Sequence, residues 1–184
     1  MKKITIQKKL VILSVLLSGL PALSQQFYNN GGLSTGTTTA NGAATSPSGY
    51  TWSELQSVGG VTNTSLGLAA YYVNSGATNF RLADNFTVVA GQQLNVTSID
   101  FYCYQTGYVG TVPPIDQLRV QIWNGDPSLG TSTVVAGNLT ANVYAAAGSG
   151  DALMYRIGNN VSGTTRKVWR VRGTLAVNLN PGTY

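Results

Sequence analysis

The stretch Trp169-Arg170-Val171-Arg172-Gly173-Thr174-Leu175-Ala176-Val177-Asn178-Leu179 decides the fold class. Trp169, Val171, Gly173, Leu175, Val177 and Leu179 keep one phase of a two-residue period, and Arg170, Arg172, Thr174, Ala176 and Asn178 keep the other. A helix would scatter these apolar residues around its circumference. A strand points successive side chains to opposite faces, so the pattern requires a half-buried β-strand. Gly173 in its middle predicts a bend where the chain passes from one sheet to another. Pro181-Gly182 then turns the chain, and Thr183-Tyr184 reads as the first step of a further strand. A domain that stops there would lack its last strand, so the chain is expected to be part of a longer polypeptide.

The same period recurs toward the N-terminus. Leu118, Val120 and Ile122 alternate with polar neighbours over Gln117 to Trp123, and Asn124-Gly125-Asp126-Pro127 ends that strand. Leu94 and Val96 occupy even positions whereas Ile99, Phe101 and Cys103 occupy odd ones, which predicts a bulge near Thr97 and Ser98 in a strand from Leu94 to Tyr104. Phe86 and Val88 form another short apolar set, Phe80 and Leu82 alternate about Arg81, and Ala90-Gly91-Gln92 reads as a turn. Shorter strands are expected at Thr131 to Val135, Thr140 to Tyr144 and Ala152 to Ile157, with turns on Gly137-Asn138 and Gly148-Ser149-Gly150-Asp151. A first strand is expected within Leu66 to Val73. Thr51 and Glu54 fit a capping box for a helix of one or two turns, closed off by Gly59 and Gly60. Many strands at short spacing without β-α-β alternation predict an all-β fold, specifically an antiparallel, jelly-roll-like β-sandwich over 49–184, incomplete at its C-terminus.

Residues 1–24 read as a secretory signal: Lys2, Lys3, Lys8 and Lys9, then the apolar run Leu10 to Leu20, then Pro21-Ala22-Leu23-Ser24 as a small-residue cleavage site. The apolar run is too short for a membrane-spanning helix, which needs about 20 residues. The chain is expected to be secreted or displayed at the outer cell surface, not to be an integral membrane protein. Of eleven basic residues in the whole chain four lie in this signal, leaving seven against six acids, so the formal charge of +5 falls to about +1. Nucleic-acid binding therefore has no basic patch to rest on, and Arg166, Lys167, Arg170 and Arg172 read as a solvated strand face. Residues 25–48, rich in Gly, Ser, Thr and Asn, read as a leader that is flexible or ordered on contact. The lone Cys103 has no disulfide partner and lies in an apolar stripe, as expected of an inert thiol.

Several of these segments together carry a family resemblance. Tyr50-Thr51-Trp52-Ser53-Glu54-Leu55, Leu82-Ala83-Asp84-Asn85-Phe86-Thr87-Val88, Ile99-Asp100-Phe101-Tyr102 with Tyr104-Gln105-Thr106, Leu118-Arg119-Val120-Gln121-Ile122-Trp123-Asn124-Gly125-Asp126-Pro127 and Trp169-Arg170-Val171 resemble the N-terminal module of large exoproteins that Gram-negative bacteria export by the type IX system. The order Leu-Ala-Asp-Asx-Phe, strand, Ile-Trp strand end is also similar to choice-of-anchor domains. The resemblance implies a β-sandwich on an exported protein whose downstream domains, including a C-terminal sorting tail, are partners within the same polypeptide. It implies no catalytic residues.

The absence of histidine removes Ser-His-Asp, Cys-His and His-ligated metal chemistry from consideration. Of the six acids, Asp126 before Pro127 and Asp151 after Gly150 suit turns, and no two are set as a pair for glycoside hydrolysis, so no enzyme is expected. A structural calcium ion is the one cofactor considered, with Asp84, Asn85 and, more remotely, Asp100 as ligands. Tyr102, Tyr104 and Trp123 fall opposite apolar neighbours on their strands and Tyr108 in the following loop, a set suited to stacking on a polysaccharide or surface glycan. The expected role is thus a noncatalytic structural or adhesive module, with carbohydrate binding as the alternative.

Overall fold

The computed structural model describes residues 31–57, 68–72, 79–158 and 163–184. Its strands are β1 (Ser34–Gly36), β2 (Thr51–Ser53), β3 (Tyr71–Tyr72), β4 (Asn79–Phe80), β5 (Thr87–Val88), β6 (Leu94–Tyr104), β7 (Val120–Trp123), β8 (Val134–Asn138), β9 (Gly150–Tyr155), β10 (Lys167–Leu179) and β11 (Gly182–Thr183). A single 3-10 turn, Ala146–Gly148, is the one helical element among the described residues. The fold is all-β, as the periodicity requires. The main sheet runs β1-β2-β9-β10-β6, and β5–β11, β3–β4 and β7–β8 form separate ladders.

The β6–β10 ladder is the backbone of the molecule. It pairs Leu94 with Leu179 at one end and Tyr104 with Val168 at the other. Its register shifts between Ser98↔Thr174 and Val96↔Val177, so Thr97 alone faces Leu175 and Ala176. The irregularity sits where the phase change in β6 puts it, but the extra residue belongs to β10. On one side of the ladder Val88, Leu94, Ile122 and Leu179 form the largest buried apolar cluster, with Phe86, Val96, Ile99, Ala136, Leu175, Val177 and Tyr184 packed against it. The β5–β11 and β7–β8 ladders therefore cover that half of the sheet. Trp169 and Val171, each 1 % exposed, are buried further along β10, outside that cluster.

Gly173 does not mark a crossing between sheets. It stays inside β10, paired with Ile99 on one side and bridged to Tyr144 on the other. A Cβ there would lie 2.8 Å from Leu118 Cδ2 and 3.2 Å from Val143 Cγ2, so glycine serves close approach. Gly137 lies within β8 and not in a turn; its φ is +74°, and a Cβ would collide with the Val120 carbonyl oxygen. The turn starts one residue later, where Asn138 Oδ1 accepts the N–H groups of Thr140 and Ala141 at 2.9 and 2.6 Å.

Three further expectations need correction. Thr51 and Glu54 do not cap a helix: Thr51 and Trp52 pair in parallel with Met154 and Tyr155, and the Glu54 N–H donates to Leu33 O at 3.0 Å. Burial of Trp52 at 2 % exposure with Ile157 outweighs the local capping preference. This pair also makes the sheet mixed, not wholly antiparallel. Phe80 and Leu82, read as alternating about Arg81 in a strand, are 56 % and 55 % exposed, because β4 ends at Phe80 and the β3–β4 ladder is only two residue pairs long. Of the strand expected within Leu66 to Val73 the structure shows Tyr71–Tyr72; Leu66, Gly67 and Val73 lie outside the described residues.

The segment read as a leader contributes β1 and, through Thr38↔Thr45, a small bridge; Thr39 and Ser46 are buried. Its anchor on the main sheet involves a backbone irregularity. Between Val168↔Met154 and Trp169↔Asp151, β9 carries Ala152 and Leu153 with no partners in β10. Leu153 has φ +54° and is 54 % exposed. A left-handed conformation costs an L-residue roughly 1–2 kcal/mol. Leu153→Gly is therefore expected to raise the unfolding free energy by about 1 kcal/mol, offset in part by the greater freedom of glycine in the unfolded chain. A urea titration of both proteins checks this, and a lower midpoint for the glycine variant would show that the Leu153 side chain holds contacts that outweigh the strain.

Candidate functional site

The face of β6 and β10 opposite Trp169 is polar. Antiparallel pairing sets Tyr104 beside Val168, Tyr102 beside Arg170 and Asp100 beside Arg172, all on that face. Arg172 grips Asp100 with both ends of its fork, Nε to Oδ1 at 2.6 Å and Nη2 to Oδ2 at 2.7 Å. Bidentate geometry of this kind fixes both side chains. The Asp100 carboxylate accordingly holds the Arg172 guanidinium above its ordinary pKa. The 3-10 turn braces the pair: the Arg172 N–H donates to Ser149 Oγ at 2.9 Å, Arg170 Nε donates to Gly148 O at 3.0 Å, and a Cβ on Gly148 would strike the Arg172 side chain. Tyr102, 41 % exposed, stands beside this scaffold. Tyr102, Arg170, Arg172 and Asp100 thus form a braced, solvent-facing strip.

The four aromatics named from sequence do not make one platform. Tyr102 and Tyr104 share the polar face, but Tyr104 is half-buried, with the Arg156 guanidinium 5.7 Å from its ring. Tyr108 lies on the other side of the sheet, edge-on to Trp169 at 5.9 Å. Trp123 is half-buried at the end of β7, in a separate ladder. Of the calcium candidates, Asp100 is occupied by Arg172, and Asp84 Oδ1 accepts the Asn85 N–H at 2.9 Å. Among the described residues no three His, Cys, Asp or Glu side chains gather as a metal site. Cys103 is half-buried, and burial pushes its thiol up to about 11, which keeps it protonated and unreactive near neutrality.

One cluster escaped the sequence reading. Asp151 Oδ2 accepts the Tyr50 hydroxyl at 2.7 Å and meets Lys167 Nζ at 2.6 Å, while Oδ1 accepts the Leu153 N–H at 2.8 Å. The Tyr50 ring packs against Tyr155, centroids 4.7 Å apart and tilted by 35°, and Lys167 sits 4.8 Å from the Trp169 ring. Burial opposes the charge on Asp151, but the hydrogen bonds from Lys167, Tyr50 and the Leu153 amide prevail and depress its pKa. Hydrogen bonding to Asp151 raises Lys167 and Tyr50 in turn. A tyrosine and an aspartate 101 positions apart carry no local signal of their pairing. The cluster ties the segment before β2 to β9 and β10, and all three groups are satisfied by one another, so its geometry is that of a latch.

A hollow of about 280 Å³ lies between Thr45, Ser46, Pro47, Trp52, Gly163 and Thr164. It is open and below the usual size of a ligand pocket, roughly 300–1,000 Å³. No protein-family model, no curated protein and no solved structure matches the chain. No described helix is long and apolar enough to cross a membrane.

Proposed function

We propose that the chain is a noncatalytic β-sandwich module of a larger exported protein, carried outside the cell, where it acts in adhesion or as a structural spacer. The packing of β5–β11 and β7–β8 on one face of the main sheet supports the two-layer reading, and the basic, apolar and small-residue sequence of 1–24 supports export. The observation that carries the adhesive role is the strip of Tyr102, Arg170, Arg172 and Asp100. The Asp100–Arg172 fork and the Arg170 bond to Gly148 O hold three of its four side chains before any partner arrives, which lowers the ordering cost of binding.

Carbohydrate binding is the second reading, and Tyr102 favours it. An exposed ring flanked by guanidinium donors offers stacking and hydrogen bonds to the same sugar. Retention of the purified protein on bacterial cells and on insoluble polysaccharides tests both readings. Tyr102→Ala combined with Arg170→Ala is expected to weaken retention at least about tenfold, equivalent to about 1.4 kcal/mol. Unchanged retention in the double variant would remove the strip as the site. A folded protein retained on neither material would leave the spacer role alone.

A further inference from the structure

Two guanidinium groups and one carboxylate make up the charge of the polar strip, and the carboxylate is taken. Asp100 holds Arg172, whereas Arg170 uses only its Nε, which donates to Gly148 O at 3.0 Å. The Nη groups of Arg170 make no hydrogen bond or ion pair among the described residues, and the side chain is exposed. Asp151, the acid next along β9, pairs with Trp169 and is held by Lys167 on the opposite face. Arg170 has unlike neighbours across the sheet. On β6 it faces Tyr102, and on β9 it faces Gly150, where a Cβ would meet nothing within 4 Å. An exposed ring, an anchored guanidinium and an open shelf therefore stand in a row over three strands, roughly 10 Å from β6 to β9.

We infer, resting on the carbohydrate reading above, that this row binds acidic sugars of a polyuronate: one sugar ring on Tyr102, its carboxylate on the Nη pair of Arg170, and the adjoining sugar over Gly150. The charge selects the class of sugar. A guanidinium fork matches a carboxylate in plane and spacing, a match that the hydroxyls of a neutral sugar do not offer. With Nε bound to Gly148 O, the end of the fork is aimed outward before a ligand arrives, which lowers the ordering cost of a long side chain. A simple inorganic anion would use the fork and leave the Tyr102 ring idle, whereas an acidic sugar uses both. Gly150 supplies the room for the polymer to continue past the bound residue.

The test is affinity electrophoresis of the full chain through gels carrying polygalacturonate, its fully methyl-esterified form, dextran sulfate or a neutral polysaccharide. The parent is expected to bind polygalacturonate at least about tenfold more tightly than the ester, which keeps the sugar ring and removes the charge. Arg170→Gln is expected to lose at least that factor, and Arg170→Lys to recover only part of it, because an ammonium keeps the charge without the fork. Gly150→Leu is expected to weaken retention by covering the shelf while its urea midpoint stays at the parent's, since its Cβ would meet no neighbour. Retention by the ester or by the neutral polymer equal to that by polygalacturonate overturns the acidic class and leaves the carbohydrate reading standing. Retention by none of the polymers overturns both. Dextran sulfate that holds the chain as tightly as polygalacturonate overturns the acidic-sugar site as unselective anion binding, and parent-like retention of Arg170→Gln overturns it as binding elsewhere.

Discussion

Replacing Trp169 by alanine is expected to lower the unfolding free energy by about 4 kcal/mol, enough to unfold most of a domain of ordinary stability at elevated temperature. Trp169 is 1 % exposed and sits at the centre of the main sheet, opposite Cys103 of β6 and Asp151 of β9. Its ring takes the edge of Tyr108 at 5.9 Å and the Lys167 ammonium at 4.8 Å. Truncation therefore removes a large buried volume, one aromatic pair and one cation–π contact from three strands and a loop at once. The Trp169 indole N–H is buried without a hydrogen-bond partner among the described residues. Trp169→Phe loses volume but also removes that orphaned donor, so its expected cost is much smaller, about 1 kcal/mol. Urea titrations of the two variants separate the terms. Equal, large losses would mean that the six-membered ring cannot maintain the Tyr108 and Lys167 contacts. A loss below about 1 kcal/mol for alanine would mean that Trp169 is not the keystone its burial indicates.

The strands that were legible in sequence are those whose partners lie in the same large ladder. β6 spans the expected Leu94–Tyr104, although Phe101 of its apolar stripe is exposed, and β10 keeps its two-residue period through Leu179, because β10 buries one face over many residues and the hydrophobic term accumulates along it. Pairing was less legible than the strands. The parallel contact of β2 with β9 depends on Trp52 finding Ile157 and Tyr155, and nothing near Thr51 signals it, so the capping pattern misled. The polar strip was half legible. Alternation put Asp100, Tyr102, Arg170 and Arg172 on wet faces, but only the register shows that Asp100 and Arg172 are opposite one another. Tyr108 and Trp123 were separated from that strip for the same reason: a period of two gives a side of its own strand and says nothing of which sheet or which face a loop returns to.

Asp151→Asn is expected to cost about 2 kcal/mol at neutral pH and much less in acid. In the folded chain the Asp151 carboxylate is held below its ordinary pKa of 3.8, so the stability it provides is complete above that value and is lost as the pH falls through the depressed one. Lys167 and Tyr50 behave in the opposite sense. Their pKa values are raised from 10.5 and 10.0, so their contributions are complete below those values and are lost as the pH rises through the raised ones. The difference between parent and variant should be widest between about pH 4 and pH 10 and close on both sides. The magnitude is held to about 2 kcal/mol because the carboxylate and ammonium side chains keep 23 % and 20 % of their exposure and water screens part of their attraction. Denaturant titrations at pH 3, 7 and 11 measure it; a difference that does not change with pH would assign the loss to packing and not to the charges. The latch also makes a prediction about place. Tyr50 precedes β2, and Leu153 N–H bonds to the same carboxylate, so loss of Asp151 frees the docking of β1 and β2 on β9 before it disturbs the β6–β10 ladder. Hydrogen exchange should then rise first at residues 34–53 and β9 while β6 and β10 stay protected, and uniform acceleration would show that the sheet opens as one unit.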